Sequence, residues 1–287
     1  MGWFMLGATK LRKMMAKDSM ILAPFTYDAF TAKIGESVGF QCIYMSGFGT
    51  AMSKGYPDVG LLTLTEMVQN AREIANAVSV PVIADADTGY GNPINTWRTV
   101  REYEAAGVAG IHIEDQVFPK KCGFFEGKQV IPLEEAVQKI RAALDARINS
   151  GFVIIARCDA LAVNGWEDTI IRCKAYSAAG ADAIFIDGIK TIEDLKIYAD
   201  RLHNISRVYN GDLLPANEVA KMGYKIMLHR GPMFALFRFI RDLMQELKDT
   251  GNIDPIRTGN SVDLRKEIAS LLELNKIYEM EQRYTNS

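Results

Sequence analysis

Two short stretches carry residues arranged for chemistry. In "IADADTGYG", Asp85 and Asp87 stand two apart. On an extended strand that spacing puts both carboxylates on one side, and Ala84 and Ala86 face the other way, where a helix can pack. Paired carboxylates repel unless a cation or a proton relieves them. Glu114 ends a further apolar run, "GIHIED". With only three histidines in the chain, three carboxylates at strand ends make an oxygen site for a hard cation. Mg²⁺ with retained waters is the natural occupant and Mn²⁺ a substitute. The plainer reading is that these acids cap helices or pair with lysines. The second stretch, "PKKCGFFEGK" (119–128), follows the same strand. Its Cys122, beside two lysines and a glycine, is either a catalytic acid or an ordinary surface thiol.

Two more strand ends add polar groups. "YMSGFG" puts Tyr44 and Ser46 on one face, and Gly47 lets backbone N–H groups approach an anion. "IIARCD" supplies Arg157, a planar fork for a carboxylate or phosphonate or one half of a structural ion pair. A metal, backbone donors and an arginine together describe a site for an α-oxo or α-hydroxy acid.

Such residues need a scaffold that gathers strand ends. Eight apolar runs are strand candidates: 20–25, 42–47, 81–87, 110–115, 152–159, 183–188, 206–211 and 225–230. Helical periodicity fills 64–78, 95–107, 133–148 and 166–180 between them. Continuously apolar strands alternating with helices imply a parallel sheet covered by helices. Eight such units predict an α/β fold, a (β/α)₈ TIM barrel with its chemistry at the C-terminal strand ends. An open dinucleotide-binding sheet is disfavoured because no G-x-G-x-x-G follows a strand. Beyond the eighth strand, 234–251 and one long amphipathic helix at 261–284 are expected. The division is therefore a barrel over 1–251 and a C-terminal helical arm over 252–287, which either packs outside the barrel or embraces a second subunit.

The whole-chain properties agree. The chain has 287 residues, 48% hydrophobic and 24% charged, with a net charge of −2. That balance points away from nucleic acid and membranes as partners. Cys42, Cys122, Cys158 and Cys173 are scattered, which argues against a zinc site or disulfide framework and for a reducing, cytoplasmic setting. The N-terminal "MGWFMLGATKLRKMM" has neither the basic start nor the cleavage pattern of a signal peptide, and Leu6 departs from a myristoylation signal.

Taken together, "YDAFTAKIGESVGF", "YMSGFGTAMSKGYPDVGLLT", "VIADADTGYGN", "GIHIEDQVFPKKCG" and "IIARCDA" resemble the isocitrate lyase/phosphoenolpyruvate mutase superfamily, in particular its methylisocitrate lyase-like and 2,3-dimethylmalate lyase-like branch. The resemblance runs from about residue 10 to 280. It implies a (β/α)₈ barrel, helix-swapped dimers usually assembled as tetramers, and Mg²⁺. It also implies cleavage or formation of C–C or P–C bonds beside an enolate. By the same resemblance Asp87 ligates the metal directly, and Asp85 and Glu114 act largely through its waters. Asp58 lies near those waters. Ser46, Gly47 and Phe48 hold the substrate carboxylate, and Tyr44 and Arg157 hold oxygens of the same half. Cys122 becomes the acid that protonates the departing carbon, with Lys121 nearby.

The chain departs from that pattern in the half that reads the rest of the substrate. Phe124 stands where the lyases have His. "YNGDLLPAN" is a shortened loop that keeps Asn210. Asp187 replaces a longer Glu, and Arg230 occupies the place of a Tyr-Pro pair. The expected activity is Mg²⁺-dependent C–C cleavage of a 2-hydroxy dicarboxylate to an α-keto acid and a second carboxylate, with Phe124 and Phe125 as an apolar flank for a substituted substrate. Oxaloacetate hydrolysis or decarboxylation, phosphonate chemistry and a non-catalytic metabolite-binding barrel are the alternatives.

Overall fold

In the computed structural model, eight parallel strands close into one barrel in sequence order. They are β1 (Ile21–Thr26), β2 (Ile43–Met45), β3 (Val82–Asp85), β4 (Gly110–Glu114), β5 (Val153–Cys158), β6 (Ala183–Ile186), β7 (Arg207–Asn210) and β8 (Ile226–His229). The structure describes residues 2–123, 126–254, 257 and 259–285, with residues 2–6 described by their backbone alone. The expectations for Phe124 and Phe125 lie outside the described residues. Closure pairs Ile21 with Ile226 and Pro24 with His229.

The connecting helices are α1 (Gly2–Met15), α2 (Ala29–Ser37), α3 (Gly47–Ser53), α4 (Leu64–Ala77), α5 (Pro93–Ala106), α6 (Leu133–Ala146), α7 (Leu161–Ala178), α8 (Ile192–Arg201) and α9 (Ala216–Lys221). Local sequence starts several of them. Thr63 and Glu66 form a reciprocal capping box before α4, and Asn92 caps α5 with Pro93 in its first turn. Outward-facing strand residues such as Ile111, Ile113, Ile154 and Ile184 are buried in two apolar clusters that include helix residues. The inward face is aromatic and polar. His112 sits between Tyr44, stacked at 5.7 Å, and Phe185, edge-on at 5.4 Å.

The chain divides into two units, residues 1–231 and 232–287, rather than at the expected 251/252. The helix α10 (Gly231–Thr250) therefore falls almost wholly in the second unit, followed by α11 (Ser261–Leu271) and α12 (Leu274–Thr285). The single helix expected over 261–284 is two, because Glu273 takes a left-handed backbone (φ 58°) between them. No Gly or Pro announces that break. Within this unit Phe237, Met244, Leu247, Val262, Leu272 and Tyr284 are exposed. Among the described residues no helix is long and apolar enough to cross a membrane.

Candidate active site

β3 ends at Asp85, two residues earlier than expected. Asp87 lies past the strand with φ 46°, a region that strains a non-glycine residue by of order 1–3 kcal/mol and recurs at functional sites. Neighbouring groups hold it there. Its N–H donates to Asp85 Oδ1 at 2.9 Å, and its carbonyl accepts from Glu114 N at 2.9 Å. The two acids thus meet through a turn rather than through strand alternation.

Tyr44, Asp85, Glu114 and Arg157 all project from strand ends into one buried cluster. Gly47 N donates to Asp85 Oδ2 at 3.2 Å, and a Cβ on Gly47 would stand 2.5 Å from that oxygen. Glycine is therefore required here by contact. Ser46 caps α3, its Oγ accepting from Gly49 N at 3.1 Å. These two expected anion-holding groups are already engaged within the protein.

Arg157 is likewise occupied. It donates to both oxygens of Asp159 at 2.8 and 3.0 Å, and its guanidinium lies 3.1 Å from Glu114 and 3.6 Å from Asp187. A substrate carboxylate would join three protein carboxylates around this fork.

The loop after β4 enters the cluster by way of Lys120. This side chain is 2% exposed and makes ion pairs with Asp58 and, at 2.8 Å, with Asp87. Lys121, the lysine singled out by sequence, is half-buried, and its backbone N–H and C=O are bound by the Gln116 amide, each at 2.9 Å. Of these two lysines, Lys120 is the one buried against the acids. Cys122 follows, buried, with its N–H donating to the Asp58 carbonyl at 3.0 Å. A Cβ on Gly123 would meet Asp187 Oδ2 at 2.4 Å. Lys128 anchors the far end of the loop, donating to Asp159 and Asp187, each at 2.8 Å. The described part of the loop thus reaches from the Asp58 side of the barrel mouth to Asp187 at the end of β6. Gly123→Ala should leave folding intact and prevent this approach. Catalytic efficiency should fall by about 10²-fold, the scale of a 1 Å misplacement; circular dichroism and steady-state kinetics check it, and unaltered kinetics would count against the loop's role.

The charge balance bears on a cation. Six buried acids, Asp58, Asp85, Asp87, Glu114, Asp159 and Asp187, face Lys120, Lys128 and Arg157 among the described residues. Burial pushes the Asp87 carboxyl up to about 6 against the pull of Lys120, and lifts Glu114 well above the usual carboxylate range despite Arg157. Burial also works to raise Asp85, but the His112 imidazole, Lys120 and Arg157 outweigh it and hold Asp85 low. Asp87 Oδ1 and both Glu114 oxygens are buried without an aligned hydrogen-bond donor. Among the described residues no three acids, cysteines or histidines converge closely enough to enclose an ion by themselves. Buried acceptor oxygens that face the Lys120 ammonium and the Arg157 guanidinium without an aligned hydrogen bond suit Mg²⁺, which keeps several waters. The residues fit the ion.

At the remaining strand ends, Asn210 Oδ1 is buried without a donor, and Arg230 donates to Asp212 at 2.9 Å on the loop after β7. Sequence reasoning did not single out Lys120, Lys128, Asp159 or His112 for the site. His112 reads as one residue of an apolar strand, and the lysines as loop charges.

The fold and this site define a (β/α)₈ barrel with a carboxylate-rich mouth and a cysteine-bearing loop. The chain belongs to the phosphoenolpyruvate mutase/isocitrate lyase superfamily; the family model described as phosphoenolpyruvate phosphomutase matches residues 11–248. It is 41% identical over 288 residues to 2,3-dimethylmalate lyase of Eubacterium barkeri, covering 96% of this chain and 98% of the relative. It superposes on oxaloacetate acetylhydrolase in complex with the inhibitor 3,3-difluorooxalacetate with a TM-score of 0.91, at 34% identity and 98% of both chains. Phosphonopyruvate hydrolase in complex with oxalate and Mg²⁺ superposes with a TM-score of 0.87, at 30% identity, over 97% of this chain and 99% of that one.

Proposed function

We propose that the protein is a Mg²⁺-dependent carbon–carbon lyase acting on a 2-hydroxy dicarboxylate of the 2-methylisocitrate or 2,3-dimethylmalate kind. The observation that carries this reading is the position of Cys122. Its backbone is bound to Asp58, one residue after a proline–lysine–lysine run has brought Lys120 onto Asp58 and Asp87. With its backbone held there, the Cys122 thiol would serve as the acid that gives a carbanion its proton.

Asp87 would hold the ion directly, with Asp85 and Glu114 reaching it through water. When bound, Mg²⁺ supplies a fixed positive charge beside the negative charge that develops as the bond breaks. The chain's own groups do the rest. Asp58 would take the 2-hydroxyl proton as the C–C bond breaks to leave an α-keto acid, the departing carbon would take the Cys122 proton to become the second carboxylate product, and the proton held by Asp58 would return to the Cys122 thiolate, closing the cycle. Lys120, held protonated by the acids around it although burial opposes its charge, offsets their repulsion toward an anionic substrate. Asp187, Asn210 and Arg230 would read the remaining half of the substrate. A product screen of 2-hydroxy and 2-oxo diacids with Mg²⁺, read by formation of a new α-keto acid and of oxalate, tests the reading. Absence of turnover across the panel would overturn it.

Oxaloacetate hydrolysis is the second reading, favoured by the close superposition on oxaloacetate acetylhydrolase. The same screen separates the two, because hydrolysis of oxaloacetate yields oxalate and acetate without an α-keto acid.

A homodimer or homotetramer is supported by the exposed apolar side chains of α10, α11 and α12, the kind of surface a partner subunit covers. Removing residues 261–287 should lower association and solubility, measured by light scattering. A monodisperse full-length monomer would sink this expectation.

A further inference from the structure

The loop after β4 leaves and rejoins the barrel through a short antiparallel neck. Val117 N donates to the Gln129 carbonyl at 2.8 Å, Ile131 N donates to the Asp115 carbonyl at 2.9 Å, and Gln116 pairs with Val130 between them. The Gln116 side chain is 2% exposed and turns from this neck along the outgoing arm. Its Oε1 accepts from Lys121 N at 2.9 Å, and its Nε2 donates to the Lys121 carbonyl at 2.9 Å and to Asp159 Oδ1 at 3.1 Å. A backbone N–H only donates, and a carbonyl or a carboxylate flanked by cations only accepts. Turned over, the carboxamide would oppose oxygen to oxygen twice and nitrogen to N–H once. The three contacts therefore admit one orientation. Asp159 Oδ1 also accepts from Arg157 and from Lys128 on the returning arm, at 3.0 and 2.8 Å. One buried carboxylate thus joins the neck, the returning arm and the barrel.

We infer that Gln116 is a positioning residue for Cys122, its carboxamide clamping the Lys121 peptide to the neck and to Asp159 so that the next residue is held in place from the barrel side. The inference rests on the proposed role of Cys122 as the acid. Only two described backbone anchors bear on this stretch of the arm: the Gln116 clamp at Lys121 and the bond from Cys122 N to the Asp58 carbonyl. One anchor leaves a peptide free to swing about it, and two adjacent ones fix its path. Gln116 needs both a donor and an acceptor at its tip. A glutamate in its place would set an oxygen against the Lys121 carbonyl and Asp159. A methionine would keep the length of the side chain and make none of the three bonds.

The test uses the full-length protein and three readouts. The first is alkylation of the native protein by iodoacetamide, located by peptide mass. Cys42, Cys158 and Cys173 are wholly buried and Cys122 is 5% exposed, so the other three report general loosening. Gln116→Met should speed modification of Cys122 by about tenfold or more, the weight of one lost hydrogen bond, and leave the other three unchanged. An unaltered rate at Cys122, or equal acceleration at all four, overturns the inference. The second is a double-mutant cycle. Gln116→Met should lower kcat by about 10²-fold in the wild type, the scale of a 1 Å misplacement, and by less than about threefold when Cys122→Ser is already present, since residues acting as a unit are not additive. Equal losses in both backgrounds mean that Gln116 does not act through Cys122. The third needs no variant to fold: the Lys121 amide of the wild type should exchange with deuterium at least about tenfold more slowly than an open backbone amide, and unprotected exchange there overturns the inference. Absence of turnover on every diacid would sink the proposed function, and alkylation and exchange would still decide whether the clamp holds residue 122.

Discussion

Cys122→Ser is expected to lower kcat by roughly 10²–10⁴-fold, the contribution of a positioned general acid, while KM changes little. Serine keeps the size and the polar tip of the side chain, but a hydroxyl gives up a proton far less readily than a thiol. The backbone bond from residue 122 to the Asp58 carbonyl does not depend on the side chain, so the loop should still reach the cluster. Near-wild-type kcat would place the proton source elsewhere and move the hydrolase reading ahead of the lyase.

Removal of the cation should have the other large effect. Chelation is expected to abolish turnover and Mg²⁺ or Mn²⁺ to restore it. Asp87→Ala should lose on the order of 10³-fold or more, given the several kcal/mol a metal contributes to charge stabilisation. A readout independent of turnover comes from the carboxylates. A carboxyl whose folded value is raised is penalised when ionised. For Asp87 that penalty is absent below 3.8 and fully present above about 6. The metal-free protein should therefore lose stability as pH rises through that window, and Mg²⁺ should raise the melting temperature more at about pH 7.5 than at about pH 5. At Mg²⁺ about 100-fold above Kd the gain should be about 2.7 kcal/mol. Full activity after rigorous chelation, or no thermal response at the higher pH, contradicts the metal assignment.

Sequence periodicity was sufficient to count eight strands and to place Tyr44, Asp85, Glu114 and Arg157 at their ends, because each caps an apolar run in a known phase. It failed where backbone geometry departs from regular elements. Strand alternation puts Asp87 on one face with Asp85, but the strand stops at Asp85 and Asp87 follows it in a left-handed turn. Lys120 and Lys121 read alike, and only the path of the loop decides which is buried. Asp159 appears in sequence as the close of a strand; in three dimensions it takes Arg157 and Lys128 at once. The break at Glu273 left no mark, since a glutamate carries no preference for the left-handed region.

The β1–β8 pairing joins Ile21 to Ile226 and Pro24 to His229, bringing together the first and last strands of the barrel. No shorter stretch can complete the ring. During synthesis the open edges of β1 and β7 wait until 226–229 has left the ribosome, and such edges recruit strands from other chains. Contacts this remote in sequence also slow folding, because the loop entropy is lost before the pairing returns anything. The barrel's most exposed moment is therefore in translation, and a nascent chain stalled before residue 226 is the species for which a chaperone would matter most.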